Sequence, residues 1–329
     1  MKKIETGPLR TELSERVDYF VCSASFEERS LTIAKHVKSF ANTDTIVFFT
    51  SSGGRTTANR DELLEMAGNR AKSVKLFQDA PIQTADAISG AMSALIGQKG
   101  GRLIVDITCF THEQLLILMR YLQLSFEGKV TAVSIFVAYS GAKEYSHNTS
   151  VEEMWLSRGI REVRPVLGFS GRFNISKPVQ LIILVGFEHE RAKAAIEFVE
   201  PGYLVLGRGK VAESVSPELA TTNASFHVKL ERFVGKMAAM FSSYTSFEFS
   251  GVNSEDTCND ILAVADTENR NVIVCPMNTK LSTIGASLAV VRDSRIQLMY
   301  VEPLEYNEEG YSVPGPHLRF GELAWASQS

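Results

Sequence analysis

The sequence predicts an α/β protein of two tandem Rossmann-like doubly wound units with mostly parallel sheets, related by an internal duplication. Its 329 residues are too many for one ordinary core and suit two domains of roughly 150 residues each. Continuous apolar runs alternate with amphipathic helical stretches, which is typical of parallel strands covered on both faces. The same landmarks also recur at one fixed spacing along the chain, which indicates a repeat.

Two landmarks define this repeat. A Phe-Glu pair follows an apolar run at Phe26 and again at Phe187, 161 positions later (187 − 26). Two tyrosines six residues apart, with a glutamate before the second, begin at Tyr139 and at Tyr300, again 161 positions apart (300 − 139). Because independent landmarks share one spacing, we interpret the halves as copies of one unit.

Each half is predicted to carry five strands and several helices in the same order, and right-handed crossovers between them give a doubly wound sheet. The predicted strands are 19–24, 45–50, 73–77, 103–105 and 133–138, then 181–185, 203–206, 245–249, 272–274 and 296–299. The predicted helices are 31–37, 84–95 and 112–121, then 192–199, 258–265 and 282–291. The predicted domains are 1–154 and 178–313, with a connection over 155–177 and an irregular tail over 314–329.

Composition restricts the functional class. A hydrophobic content of 44% with 22% charged residues is typical of a soluble globular protein, and no window approaches the roughly 18 apolar residues of a membrane span. The N-terminus does not resemble a signal peptide, so a cytoplasmic location is expected. A net charge of −4 argues against generic binding of duplex DNA. The four cysteines form no CxxC pair and have no histidine at metal-ligand spacing, so no metal site is predicted. Three of them lie in or just after apolar runs and are interpreted as buried packing residues: Cys22, Cys109 and Cys275.

Ligands of open parallel sheets bind beyond the carboxyl ends of the strands, and the first such turn carries acidic and basic residues in both halves. In one interpretation Glu27, Glu28 and Glu188 only face the positive end of a helix dipole. In the other, Glu27 and Glu28 supply reactive carboxylates and Glu188 binds the ligand. Arg29 and Arg191 are predicted to bind phosphate or carboxylate in bidentate fashion, since a cation in the first helical turn opposes the dipole. A surface ion pair with a neighbouring glutamate is the alternative.

The turn after the second strand combines glycine with a basic residue, over 51–55 with Arg55 and over 207–210. Exposed amides in such a turn can form an anion-binding nest, although loop glycines more often serve only to form a turn. The P-loop pattern is absent from both turns.

Polar residues follow the fourth strand of each half. Asp106 and Thr108 occupy this place in the first half, and Asn278, Thr279 and Lys280 in the second. Hydroxyl and amide groups here either cap the next helix or bind an anion or a ribose. Asp106 is also a candidate general base. We expect one acidic and one basic version of a duplicated site.

Tyrosines at the end of the fifth strand complete the predicted site. Tyr139 and Tyr300, with Tyr145 and Tyr306 six residues on, either stack on a base or ribose or close the core at the sheet edge.

The Asn278-Thr279-Lys280 turn, feeding a helix of a Rossmann-like sheet, resembles the Thr-Gly-Gly-Thr-Lys turn of CRISPR-associated Rossmann-fold (CARF) sensor domains. The tandem duplication is similar to SAVED domains, which fuse two CARF-like units in one chain. This resemblance implies a pocket for a cyclic oligonucleotide and a role in antiviral defence. Because neither unit is followed by a recognisable effector domain, it also implies a separate effector chain.

Three functional hypotheses follow. The first is a pseudo-dimeric binding module for a nucleotide or cyclic oligonucleotide, which is a small anionic ligand, in prokaryotic defence or signalling. The second is an enzyme acting on a nucleotide, phosphosugar or phosphodiester, with Glu27, Glu28 and Asp106 as acid, base or magnesium ligands. The third is a non-catalytic scaffold subunit of a complex. The sequence leaves catalysis and the cofactor undecided, with magnesium expected only for an enzyme, because fold alone does not determine function.

Overall fold

The chain folds into two compact units, each with its own sheet. The computed structural model describes residues 2–4, 13, 16–50, 53–95, 100–126, 133–145 and 155–323. The first unit comprises residues 1–144 and 312–329, and the second comprises residues 145–311. Both are Rossmann-like α/β units, as the sequence predicts.

The first unit holds a mainly parallel sheet with helices between its strands. Its strands are β1 (Lys2–Ile4), β2 (Tyr19–Ala24), β3 (Asp44–Phe49), β4 (Ala71–Lys75), β5 (Gly101–Asp106), β6 (Val133–Tyr145) and β13 (Ser312–Glu322). Its helices are α1 (Gly54–Ala67), α2 (Pro81–Leu95) and α3 (His112–Phe126). Over the described residues the strand order is β1-β13-β6-β5-β2-β3-β4. Strands β2 to β6 run parallel to their neighbours in this group, and β1 is antiparallel to β13.

The second unit repeats this plan. Its strands are β7 (Ser157–Pro165), β8 (Val179–Leu184), β9 (Tyr203–Gly209), β10 (Ser243–Phe249), β11 (Asn271–Pro276) and β12 (Gln297–Tyr306). Its helices are α4 (His189–Val199), α5 (Pro217–Lys236), α6 (Ser254–Val264) and α7 (Lys280–Arg292). The strand order is β10-β9-β8-β11-β12-β7, parallel throughout except for β7, which is antiparallel to β12.

The strand order reverses at the same place in both units. It does so between β2 and β5 in the first unit and between β8 and β11 in the second. The crevice beside such a reversal is where open α/β sheets bind ligands. The turns after these four strands therefore define the candidate site of each unit.

Strands β7 and β13 each join the sheet of the other unit from the one that precedes them in sequence, and we call them the exchanged strands. Strand β7 follows β6 in sequence but joins the sheet of the second unit, and β13 follows β12 but joins the sheet of the first. The prediction that 155–177 is only a connection is therefore wrong for Ser157–Pro165. Its basic and exposed residues are those of an edge strand, where charge discourages further pairing.

The predicted irregular tail over 314–329 is also wrong for the part that forms β13, while 324–329 lie outside the described residues. Pro314 and Pro316 suggested an end to regular structure, since proline lacks an N–H donor. However, β1 pairs only with Leu318–Phe320, so both prolines lie outside that pairing. Gly315 approaches β6 so closely that a Cβ there would lie 2.8 Å from the carbonyl carbon of Ala142.

One predicted helix is absent. Residues 31–37 form parts of two short 3₁₀ turns, Glu28–Leu31 and Ala34–His36, instead of an α-helix. Neither turn has a side-chain cap at its start, and the β-branched Thr32 and Ile33 disfavour a helix at this point. The other predicted helices form, with ends moved by a few residues.

Each unit has its own hydrophobic core against the sheet. Phe20 and Ile104 are fully buried in the first, and Leu181 and Ile183 in the second. Among the described helices, none is long and apolar enough to cross a lipid bilayer.

Candidate functional site

A buried ion pair holds the first turn of the first unit. Arg29, only 3% exposed, donates to the Glu27 carboxylate from Nε at 3.0 Å and from Nη2 at 2.5 Å. Its Nη1 donates to the backbone carbonyl of Ser140 on β6 at 3.1 Å. The hydroxyl of Ser312, the first residue of β13, donates to the same Glu27 oxygen at 2.5 Å. The turn is thereby tied to β6 and β13 of its sheet.

The second unit contains the same arrangement. Arg191 donates to Glu188 from Nη1 at 2.6 Å, and from Nε to the carbonyl of Val301 on β12 at 2.8 Å. The hydroxyl of Ser157, the first residue of β7, donates to Glu188. Val301 follows Ser140 by 161 positions (301 − 140), which is the spacing of the repeat. We call the residues Glu27, Arg29 and Ser312, and Glu188, Arg191 and Ser157, the arginine clamps.

The clamps show what the two arginines contact in the folded units. Burial opposes the charge of Arg191, but the Glu188 carboxylate and nearby tyrosines hold its pKa above the ordinary value. Both guanidinium groups are buried and already bonded to carboxylate and carbonyl oxygens. An ion pair forms in each unit, but it is buried and not on the surface as the alternative had it. The expected phosphate contact stays a prediction and requires the clamps to open. Sequence reasoning missed the two serines, because they belong to the exchanged strands.

An asparagine, half-buried in the first unit and buried in the second, also supports the first turn in each unit. The amide of Asn59, on α1, donates to the carbonyls of Ser25 at 2.8 Å and Glu27 at 3.2 Å. The amide of Asn223, on α5, does the same for the carbonyls of Val185 and Gly186 at 2.9 and 3.2 Å. Neither asparagine was singled out from the sequence. Helix α1 follows β3 and helix α5 follows β9, which are equivalent strands of the two units. This equivalent position is the signal that identifies the two asparagines as a pair.

Asp106 lies at the end of β5 and is buried. Its Oδ1 accepts hydrogen bonds from the Thr108 amide at 3.0 Å and from the Thr108 hydroxyl at 2.5 Å. That hydroxyl also accepts from the Ser140 amide at 3.0 Å. Burial raises the pKa of Asp106 to about 7, against the lowering effect of Thr108 and of the Arg29 charge. A carboxyl with this pKa can exchange a proton near neutral pH.

The strand register changes the expected counterpart of Asp106. Ile104 lies beside Phe20 in the first sheet, and Ile273 lies beside Leu181 in the second, where Phe20 and Leu181 are 161 positions apart (181 − 20). Two residues further along, Asp106 therefore corresponds to Cys275. The turn over 278–280 lies beyond this point, so Asp106 and Lys280 do not occupy equivalent positions. An acidic and a basic version of one site stays a prediction.

Cys275 behaves as a packing residue. Burial raises the pKa of its thiol to about 12, and its Sγ contacts the carbonyl oxygen of Met299 at 3.4 Å. Cys22 and Cys258 are also buried and their thiol pKa values are raised by burial, whereas Cys109 is only half-buried, unlike the prediction. Across the described residues, no three His, Cys, Asp or Glu side chains are grouped as metal ligands.

The turn after β11 is fixed by hydrogen bonds to its neighbours. The amide of Asn278 donates to the Val185 carbonyl at 2.7 Å, and the Thr279 hydroxyl donates to the Gly251 carbonyl at 2.6 Å. Thr279 also caps α7 by accepting from the Ser282 amide at 3.1 Å. Lys280 is half-buried in the first turn of α7. Of the two roles considered from the sequence, Thr279 therefore has that of a cap of the next helix.

The remaining candidates are dispersed. Glu28 is exposed, and Arg55 is exposed in the first turn of α1. Residues 51 and 52 of the predicted nest lie outside the described residues. Tyr139 and Tyr300 are buried within β6 and β12, where they fill the core.

Partly exposed aromatic rings gather instead at the carboxyl edge of the second unit. The ring of Tyr145 lies 5.2 Å from that of Phe187 and 6.1 Å from that of Tyr311, which is 6.1 Å from that of Tyr306. We call these four residues the aromatic rim. Phe187 is the third residue after the end of β8, so the rim stands beside the crevice where the strand order reverses.

Cationic side chains accompany the aromatic rim. Phe187 also contacts the ring of Phe226 at 6.1 Å, and the ammonium of Lys229 lies 4.8 Å from the Phe226 ring centre. The guanidinium of Arg158 stacks on Trp155 at 3.8 Å, and Arg158 faces Glu305 across β7 and β12. Partly exposed aromatic surface with nearby cations suits a ligand that has both a flat ring and negative charge.

Fold and site together define a tandem Rossmann-like α/β protein whose two units carry the same arginine clamp and differ in the residues around it. No known protein family and no curated protein matches the sequence. Among solved structures, the chain is similar to a C2-type ketoreductase from a modular polyketide synthase, with 14% identity and a TM-score of 0.23. That alignment covers 88% of this chain and 58% of the ketoreductase chain, so this chain spans less than two thirds of it.

Proposed function

We propose that the protein is a binding module for a nucleotide-type ligand and that the carboxyl edge of the second unit holds the base. The observation that carries this proposal is the aromatic rim of Tyr145, Phe187, Tyr306 and Tyr311 beside the strand reversal. Stacking of one base on an aromatic side chain contributes about 1–3 kcal/mol. Lys229 and Arg158 supply positive charge for the phosphates at the same edge. A cyclic oligonucleotide offers the same two chemical features in a larger ligand.

Titration calorimetry with mononucleotides and cyclic oligonucleotides tests this proposal. Substitution Tyr311→Ala removes one rim ring, so the dissociation constant of the bound ligand is expected to rise about tenfold or more. Tyr244→Ala is the matched control, because Tyr244 is a partly exposed tyrosine on β10, away from the rim. Absence of binding to every ligand, or equal effects of the two substitutions, would contradict the proposal.

Service in prokaryotic defence or signalling, through a separate effector chain, is the further part of this proposal. The resemblance of the 278–280 turn to CARF domains and the duplicated units support it. Purified protein would be mixed with candidate effector nucleases, with and without the bound nucleotide. Nucleotide-dependent activation supports the role, and activation without nucleotide contradicts it.

A second candidate function is catalysis on a nucleotide or phosphodiester in the first unit. The raised pKa of Asp106, about 7, favours a general base at the end of β5. Glu27 is engaged in a clamp and Glu28 is exposed, so Asp106 would act without them. Asp106→Asn is expected to abolish any turnover measured with magnesium present, while Asp86→Asn, at an exposed position on α2, leaves it unchanged. Unchanged turnover in Asp106→Asn would exclude this mechanism.

A further inference from the structure

Strand β10 forms one edge of the second sheet and is exposed over most of its length. Its neighbour on one side is β9, and on its other side none of the described strands pairs with it. Residues 243–246 and Glu248 are exposed, so the described parts of the chain do not cover this edge. The segment 243–247 reads Ser-Tyr-Thr-Ser-Phe, which favours a strand and carries no charge.

The other three edge strands of the described sheets carry positive charge. Two of the three residues of β1 are lysines, β4 also has two lysines, and β7 has the exposed Arg158 and Arg161. Lysine or arginine on an edge strand discourages pairing with a further strand. Strand β10 has no such residue. Its one charged side chain, Glu248, is paired with Arg208 of β9 at 2.6 Å.

The register with β9 determines which backbone groups of β10 point to the open side. The Lys210 amide donates to the Phe249 carbonyl at 2.9 Å, so Phe249 and every second residue before it bond to β9. The residues between them direct their amide and carbonyl groups away from β9, because successive residues of a strand alternate in this respect. Within the described part of the chain these groups have no partner, and they belong to Tyr244, Ser246 and Glu248.

We propose that β10 pairs with β10 of a second copy of this chain, antiparallel about a two-fold axis that passes beside Ser246. In this register Ser246 faces its own copy, and Tyr244 faces Glu248 of the second copy. All three outward residues then lie in hydrogen-bonded pairs, which gives about six backbone hydrogen bonds. Any shift of the register loses about two or more of them. The pairing joins two six-stranded sheets into one continuous sheet.

Charge supports a second copy as the occupant of this edge. Because residues 243–247 are uncharged, two copies meet without like charges directly opposite each other. Each Glu248 lies opposite a tyrosine, and its charge is balanced by Arg208 within its own unit. A two-fold contact covers the same edge on both copies, and the arginines of β7 protect the other edge of each sheet. The assembly therefore ends at two chains.

Sedimentation velocity of the full chain over about a hundredfold range of concentration tests the proposal, and a reversible monomer–dimer equilibrium is expected. Ser246→Pro removes an outward N–H that β9 does not use, so the dissociation constant of the dimer should rise at least about tenfold. Ser73→Pro is the matched control, because the Ser73 amide on the edge strand β4 also points away from its neighbour β3. This control should dimerise like the parent protein. A monomer at every concentration, or parent-like dimerisation of Ser246→Pro, would overturn the proposal.

Charged variants test the register without a proline. Ser246 is exposed, so its substitution leaves the core intact. Ser246→Lys places two positive charges opposite each other across the axis and Ser246→Glu places two negative charges there, so each variant alone should be monomeric. An equal mixture of the two should form a heterodimer, because opposite charges then meet. Dimers of either variant alone, or no heterodimer in the mixture, would show that the two chains do not pair at Ser246.

Discussion

Arg29 donates a hydrogen bond of 3.1 Å to the carbonyl oxygen of Ser140, a residue 111 positions further along the chain. The corresponding bond from Arg191 to Val301 spans 110 positions and measures 2.8 Å. One guanidinium therefore joins the turn after β2 to β6 in the first unit. Another joins the turn after β8 to β12 in the second. The most similar polar residues of the two halves thus share a structural role, and any ligand contact comes in addition to it.

The first prediction concerns the clamp of the first unit. Arg29→Met leaves the Glu27 carboxylate buried without its cation, which typically costs about 3–5 kcal/mol in the free energy of unfolding. Urea unfolding followed by circular dichroism measures the change. The double variant Glu27→Gln/Arg29→Met removes both charges and should recover most of the loss. If the double variant is as unstable as the single one, the ion pair is not what the substitution disturbs.

The second prediction concerns pH and Asp106. Its folded pKa is about 7, against an ordinary value of 3.8 in the unfolded chain. Between these values the folded protein retains a proton that the unfolded chain releases. Stability from this group is therefore present below about pH 4 and falls as the pH rises to about 7, by an amount on the order of a few kcal/mol.

Asp106→Asn removes this titration. The variant should lose the decline in the free energy of unfolding between pH 4 and 7 and should be more stable than the parent protein at pH 8. Urea titrations at a series of pH values measure both effects. Asp86→Asn, on the exposed face of α2, should keep the parent profile. A parent-like slope in Asp106→Asn would assign the pH dependence to another group.

The third prediction concerns the strand reversal in the second unit. A Cβ at Gly186 would lie 1.8 Å from the carbonyl oxygen of Met277, so Gly186→Ala forces two backbone segments apart. The cost is expected to be roughly 3 kcal/mol or more, or failure to fold. Gly235→Ala is the control, since a Cβ in that part of α5 meets nothing within 4 Å. Thermal unfolding should show that Gly235→Ala is more stable than the parent protein by about 0.5–1 kcal/mol.

The fourth prediction concerns the exchanged strand β13. Removing residues 312–329 takes away Phe320, whose ring stacks on that of Phe136 at 5.3 Å, and the clamp residue Ser312. Hydrogen exchange of the backbone amides should become faster in β6. Amides of β12, which keeps its own partner β7, should remain protected. Equal loss of protection in both strands would contradict the division of the chain into these units.

Much of the fold could be predicted from local sequence. Continuous apolar runs marked β2, β5, β8 and β11, because strands buried on both faces need apolar residues throughout. The strands β7 and β13 were missed, since their arginines and prolines resemble those of loops. The short turns after β2 were mistaken for a helix, because apolar spacing alone does not distinguish them.

The sequence by itself determined the duplicated α/β architecture and placed the polar turns at the carboxyl ends of the strands. Only the tertiary structure decided what those turns do. Glu27 meets Ser312 across 285 positions, and the burial of Asp106 depends on how its neighbours pack around it. A hydrogen bond or a raised pKa depends on groups brought together from distant parts of the chain, and no local pattern records which groups these are. Apolar periodicity depends only on neighbouring residues, and for that reason the strands and helices could be predicted from the sequence.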